Sequence, residues 1–232
     1  IVVVCAALWA QLIEGSDQLK RPFGYYGAVA GILVAGIVLR LLGYEIWPMI
    51  GAISVLMPWI QAAGRLRCLV NGCCHGSITE NDQLGIRYFH PRSRVCSLSG
   101  LKGQLLHPTP VYAILWLFFT GILLIRLWQL QFGYAFLFGL YLILTSLGRF
   151  VEEAYRGEVQ TPVWNRLRLY QWVTLAVFAV GIGFTNHNIP QKDLPTGYGW
   201  EILAAAFFGG FFTFFAMGVD FPRSNARFSR LV

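Results

Sequence analysis

Four short stretches carry side chains able to do chemistry. The densest is GRLRCLVNGCCHG at residues 64–76, where Arg65, Arg67, Asn71, His75 and three cysteines follow a long apolar run. The planar fork of a guanidinium matches the oxygens of a phosphate diester. The plainer reading of Arg65 and Arg67 is a pair of interfacial anchors whose stems lie along lipid. Cys68, Cys73, Cys74 and His75 are all possible zinc ligands. A four-residue gap followed by adjacent cysteines matches no common structural zinc spacing, so no metal and no cofactor is expected. Buried free cysteine also behaves as a small hydrophobe.

The second stretch, LGRFVEEAYRGE at residues 147–158, places Arg149, Glu153 and Arg156 at i, i+4 and i+7, one face of a helix if the helix continues. Ionisable groups at the end of a membrane helix are costly unless paired, and mark function by default. The spacing fits a structural ion-pair lattice, or a lattice in which Glu153 holds an arginine for a substrate. The third stretch, RPFGYYGAVAG at residues 21–31, begins a strip of small residues at Gly27, Gly31 and Ala35. Such a strip lets another helix or a lipid approach closely. Tyr25 and Tyr26 stand where it meets the interface. The fourth, HPTPVY at residues 107–112, opens an apolar helix with Pro108 and Thr109, both good helix-start residues. His107 is the kind of side chain that exchanges protons near neutral pH. It also suits a plain hydrogen-bonding role there.

The elements that must position these groups are membrane helices. The chain has 232 residues, 56% hydrophobic and 12% charged, with a mean hydropathy of +0.56. That is about half the charge of a soluble domain. Apolar segments are expected at about 1–13 (partial), 24–43, 46–63, 108–128, 132–148, 169–185 and 199–218. Most approach the roughly 20 residues that cross a bilayer core. The expected fold is therefore an all-α polytopic bundle of about six to seven transmembrane helices. Residues 1–185 would form the main membrane domain, and residues 186–232 an extra helix with a basic tail. The opening IVVVCAALWAQL reads as part of a spanning helix. It lacks the basic start and small-residue cleavage site of a signal peptide.

The net charge of +7 does not point to nucleic acid, because the basic residues lie between apolar segments. A lipid phosphate is the expected anionic partner. Alternate threading puts all 18 Lys and Arg on one face except Arg40, Arg126 and Lys192. The positive-inside rule makes that face cytoplasmic.

Taken in order, these stretches resemble the prolipoprotein diacylglyceryl transferase family across roughly residues 6–185. The resemblance rests on FGYYGAVAG as the glycine-rich helix start, and on Gly64, Arg65, Asn71, Gly72 and Gly76 in the arginine–asparagine–glycine signature. It continues through His107, Pro108, Thr109 and Tyr112 at a helix start, then Gly148, Arg149, Phe150, Glu153 and Arg156 at a helix end, and Gln171 at a later start. Departures are Tyr26 where many members have histidine, Cys68 and Cys73 in place of asparagine and an acid, and Pro110 and Ala113 in place of glutamine and glutamate.

The resemblance implies transfer of a diacylglyceryl group from phosphatidylglycerol to a cysteine thiol of a lipoprotein precursor's signal peptide, or to another lipid-linked acceptor. It implies a bacterial inner-membrane enzyme whose site faces the periplasmic or outer leaflet, opposite to the charge rule. Arg149, Tyr26, His107 and Glu153 become the catalytic candidates. Arg65, Asn71, Gly76, Arg156, Tyr112 and Gln171 become the substrate-binding ones. Arg65 and Arg149 would clamp the phosphate, and Tyr26 or His107 would act as base. A phenol ordinarily titrates near 10 and would need a neighbouring arginine to lower it. Two other functions stay open. One is a lipid-binding or lipid-moving protein without transfer, favoured by Pro110 and Ala113. The other is a membrane thiol or metal enzyme built on the cysteines.

Overall fold

The computed structural model describes residues 1–12, 25–91, 93–97, 99–157, 163–191 and 199–216. The chain divides into two compact units. One comprises residues 1–46 and 193–232. It contains α1 (Val2–Leu12), α2 (Tyr25–Leu41) and α8 (Trp200–Ala216). Here α1 packs on α2 at the small-residue strip. A Cβ on Gly31 would lie 2.7 Å from Val2 Cα, so glycine is what permits the approach.

The other unit, Trp47–Lys192, holds most of the chemistry-bearing residues. Its helices are α3 (Ile46–Asn71), the short α4 (Arg94–Ser97), α5 (Thr109–Gln129), α6 (Tyr134–Tyr155) and α7 (Leu169–Thr185). Two antiparallel pairs link them: β1 (Ile86–Arg87) with β2 (Leu105–Leu106), and β3 (Val163–Trp164) with β4 (Leu167–Arg168). Among the described residues, α3, α5 and α6 are long and apolar enough to cross a membrane, and Ala30–Leu41 and Leu169–Thr185 are shorter apolar helices. This is the architecture of a helical membrane protein.

Burial confirms that class. Large apolar side chains such as Ile53, Ile60, Phe119 and Ile122 are exposed on the helices, whereas Glu152, Glu153, Arg156 and Gln171 are buried. In water that arrangement would be costly; against lipid tails it is the favourable one. Val55, Leu124 and Leu137 form a small apolar centre with Trp128 and Tyr141 packed on it. Packing elsewhere depends on close approach. Gly139 of α6 and Gly181 of α7 stand against each other's backbone, and Trp116 of α5 fills the space over Gly148, donating its indole N–H to the Leu144 carbonyl at 2.7 Å.

Two helices run further than their hydropathy suggests. α3 continues beyond residue 63 to Asn71, and α6 beyond residue 148 to Tyr155. Hydropathy reports preference for lipid, not for helix. The extra turns are polar because their side chains are paired inside the protein. Arg65 therefore projects from a helix, and Arg149, Glu152 and Glu153 share a continuous last turn and a half.

Candidate active site

The stretch after α3 joins three of the four motifs through backbone pairing. Gly76 N–H donates to the His107 carbonyl at 2.9 Å, and His107 N–H donates to the Ser77 carbonyl at 3.0 Å. On the other side Ser77 N–H donates to the Tyr155 carbonyl at 2.8 Å, and Gly157 N–H to the His75 carbonyl at 3.1 Å. Residues 75–77 thus lie between the start of α5 and the end of α6. Glycine is required here, since a Cβ on Gly76 would overlap the Cβ and carbonyl of His107, and one on Gly157 would overlap the Gly76 carbonyl. Gly76→Ala is expected to cost about 1–3 kcal/mol, the usual penalty of overpacking. Thermal unfolding in detergent checks this, and an Ala variant as stable as the parent would contradict it.

The charged groups converge beside this junction. Glu152 lies between two arginines: Arg65 Nη2 is 2.8 Å from Oε2, and Arg149 Nη1 is 2.8 Å from Oε1. Glu153, fully buried, meets three: Arg149 Nη2 at 3.3 Å, Arg156 Nη1 at 3.2 Å and Arg168 Nη1 at 3.6 Å. Among the described residues, four guanidiniums therefore face these two carboxylates. Exposure sorts the arginines. The side chain of Arg156 is 4% exposed, those of Arg65 and Arg149 are 21% and 28%. Arg168, at 22%, falls with the second group, so three of the four arginines are partly open and Arg156 is enclosed. Arg149 also lies over the Tyr170 ring, 5.8 Å from its centroid.

Arg168, not singled out from sequence, is held by a hairpin. Asn165 and Arg166 both have positive φ, 48° and 66°, the pattern of a type I′ turn between β3 and β4. Arg168 Nη2 then donates to the Arg156 carbonyl at 3.0 Å. Gln171 supports this from the first turn of α7: its Oε1 accepts the Arg168 N–H at 2.9 Å, and its Nε2 donates to the Phe150 carbonyl at 3.5 Å.

An aromatic group flanks the junction. His107 Nδ1 is 3.2 Å from the Tyr112 hydroxyl, and its ring lies 5.1 Å from that of Tyr155. Asn71 is the half-buried last residue of α3. Tyr26 stands in the first turn of α2, in the other unit, and its side chain lies outside the described residues.

The cysteines form the second cluster. Among the described residues, the thiols of Cys68, Cys73 and Cys74 lie within 4.8 Å of one another. Arg156 Nη2 donates to Cys74 Sγ at 3.1 Å. Hydrogen bonds from Cys68 and Cys73, followed by the Arg156 and Arg65 charges, hold the Cys74 thiol far below the ordinary range. Cys73, enclosed by the other two sulfurs, is pushed far above it. Burial opposes the charge of Arg156, but Cys74 and Glu153 outweigh it and raise its pKa further. His75 is buried and turned elsewhere, with Nε2 3.0 Å from Ser99 Oγ and Nδ1 2.9 Å from the Gly76 carbonyl.

The arrangement can receive an anion at a membrane face: fixed cations, held by buried carboxylates, beside a sulfur-rich turn. Comparison with known proteins gives the same direction. A family model described as prolipoprotein diacylglyceryl transferase matches residues 9–186. The chain is similar to the phosphatidylglycerol–prolipoprotein diacylglyceryl transferase of Bacillus velezensis, 26% identical over 195 residues, covering 78% of this chain and 70% of that protein. A Clostridium perfringens protein of that name, numbered 2, is 26% identical over 196 residues, covering 82% and 73%. One from Bacillus anthracis is 30% identical over 194 residues, covering 80% and 70%. With the match running through every motif that builds the arginine group, the chain belongs to the prolipoprotein diacylglyceryl transferase family.

Proposed function

We propose that this chain transfers a diacylglyceryl group from phosphatidylglycerol to the thiol of a cysteine in a lipoprotein precursor or a related lipid-linked acceptor. The observation that carries the reading is Glu152 bridging Arg65 and Arg149, which fixes two partly exposed guanidiniums side by side. In the reaction the acceptor sulfur bonds to the glyceryl carbon, the carbon–oxygen bond to phosphate breaks, and glycerol phosphate leaves with the electron pair. Negative charge grows on the departing phosphate. Cations already positioned there stabilise that charge without reorganisation.

Arg65 and Arg149 take the phosphate in this mechanism, and Glu153 with Arg156 keeps Arg149 in place. Asn71 orients headgroup oxygens at the end of α3. The thiol proton goes to Tyr26 or His107; the His107–Tyr112 hydrogen bond supports the second. Both substrates reach the site laterally from the membrane. The chain is read as an inner-membrane protein of six to seven spans with the arginine face outward, residues 1–185 carrying the transferase and residues 186–232 adding a further helix. Arg65, Arg149 and Arg156, as site residues, account for part of the concentration of basic residues on that face.

Incubating purified protein with phosphatidylglycerol and a cysteine-bearing signal peptide tests the reading. Release of glycerol phosphate that depends on the peptide is expected. Lipid binding without release would instead favour a lipid-binding protein, the reading that Pro110 and Ala113 suggest.

A further inference from the structure

The transfer just described uses none of the chain's own thiols, because the reacting cysteine belongs to the acceptor. Yet Cys68, Cys73 and Cys74 are gathered by specific backbone geometry. Cys73 N–H donates to the Cys68 carbonyl at 3.1 Å as α3 ends, Gly72 turns the chain at φ 65°, and Cys74 is itself left-handed at φ 58°. Non-glycine residues adopt that conformation rarely and only where the surrounding structure holds them in it. The result is three half-buried sulfurs within 4.8 Å of one another. Sulfurs bound tetrahedrally to zinc at about 2.3 Å stand about 3.8 Å apart, so a small inward movement completes such a site.

We propose that Cys68, Cys73 and Cys74 bind a thiophilic divalent cation of the zinc class, leaving a fourth position that takes the acceptor's thiol. Three protein ligands and one open position is the arrangement of catalytic zinc. His75 does not fill the fourth place, since both its ring nitrogens face other oxygens. A divalent cation on three thiolates keeps one negative charge, and the Arg156 guanidinium already donates to Cys74 Sγ, where that charge lies. Through Glu153, Arg156 is linked to Arg149, so the cation site borders the proposed phosphate site.

The three thiols release their protons to solvent on binding the cation. The acceptor thiol passes its own to the base of the proposed transfer as it takes the fourth position. Its sulfur then attacks the glyceryl carbon, glycerol phosphate departs with the electron pair of the broken bond, and the neutral thioether, a weaker ligand, leaves the cation. No oxidant or reductant enters. The fourth ligand's identity rests on the transferase reading; the three-thiolate site does not.

Cobalt(II) titration of the reduced, purified chain provides the test. Wild-type protein is expected to take up stoichiometric cobalt with sulfur-to-metal absorption in the near ultraviolet. Cys73→Ser should weaken cobalt binding more than about 100-fold, beyond the 10–100-fold of outer-shell changes. Cys96→Ser, outside the cluster, should bind as wild type. A cysteine peptide should shift the visible bands, and its serine counterpart should not. Absence of sulfur-to-metal absorption in wild-type protein, or its persistence when all three cysteines are serine, overturns the site. Equal response to both peptides overturns the fourth ligand. Because a serine variant could misfold, zinc-dependent thermal stabilisation is compared too, and it should occur in wild type and Cys96→Ser and be lost in Cys68→Ser. Glycerol phosphate release is measured separately, so its absence beside an intact cobalt spectrum counts against the transferase and leaves the cation site standing.

Discussion

Glu153→Gln will leave a protein that unfolds far more readily, by about 3–5 kcal/mol, the range for breaking one side of a buried ion pair. Glu153 is fully buried and meets Arg149, Arg156 and Arg168. Glutamine preserves its shape and removes its charge. Arg156, with a side chain 4% exposed, then keeps its charge in a place that water hardly reaches. Against a total stability of about 5–15 kcal/mol, such a loss is large. Midpoints of thermal unfolding in detergent would register it, and a Glu153→Gln protein as stable as wild type would show that the lattice contributes little. Glu152→Gln makes a useful contrast. Its partners are 21% and 28% exposed, so its loss should cost less stability and more turnover.

Replacing Arg149 with alanine is expected to lower turnover about 100- to 1,000-fold, the cost of removing one fixed donor to a developing oxyanion. Stability should fall much less, because the arginine is partly exposed and leaves Glu153 with Arg156 and Arg168. Arg149→Lys should not restore activity. Arg149 reaches Glu152 through Nη1 and Glu153 through Nη2 at once. An ammonium on a flexible stem cannot reproduce that planar fork. Steady-state rates of glycerol phosphate release, read beside unfolding midpoints, separate this outcome from a general loss of fold.

Hydrophobic runs alone locate most of the helices, because a bilayer demands long apolar segments and little else produces them. Where the runs stop, the same signal misleads: α3 and α6 continue through Arg65 and Arg149 as paired polar turns. The Arg149–Glu153 contact is legible from helical spacing, and so is Arg156. Arg168 is not, since it reaches Glu153 through a hairpin whose turn depends on Asn165 and Arg166 adopting left-handed conformations. Glu152 stands outside that i, i+4, i+7 set, and its bridge from Arg149 to Arg65 spans two helices. Cys68, Cys73 and Cys74 are legible as possible ligands, but their meeting in space is not. Their spacing resembles no common zinc pattern, and the sulfurs meet only because Gly72 and Cys74 fold the turn back on the end of α3.

The central claim is that the arginine group directs diacylglyceryl transfer to a thiol. Mass spectrometry of a cysteine-bearing signal peptide, incubated with phosphatidylglycerol and either wild-type or Arg149→Ala protein, tests it most directly. A diacylglyceryl mass gain on the cysteine with wild type, and almost none with the variant, is the result expected here. An unmodified peptide with active lipid binding, or equal modification by the two proteins, would contradict it.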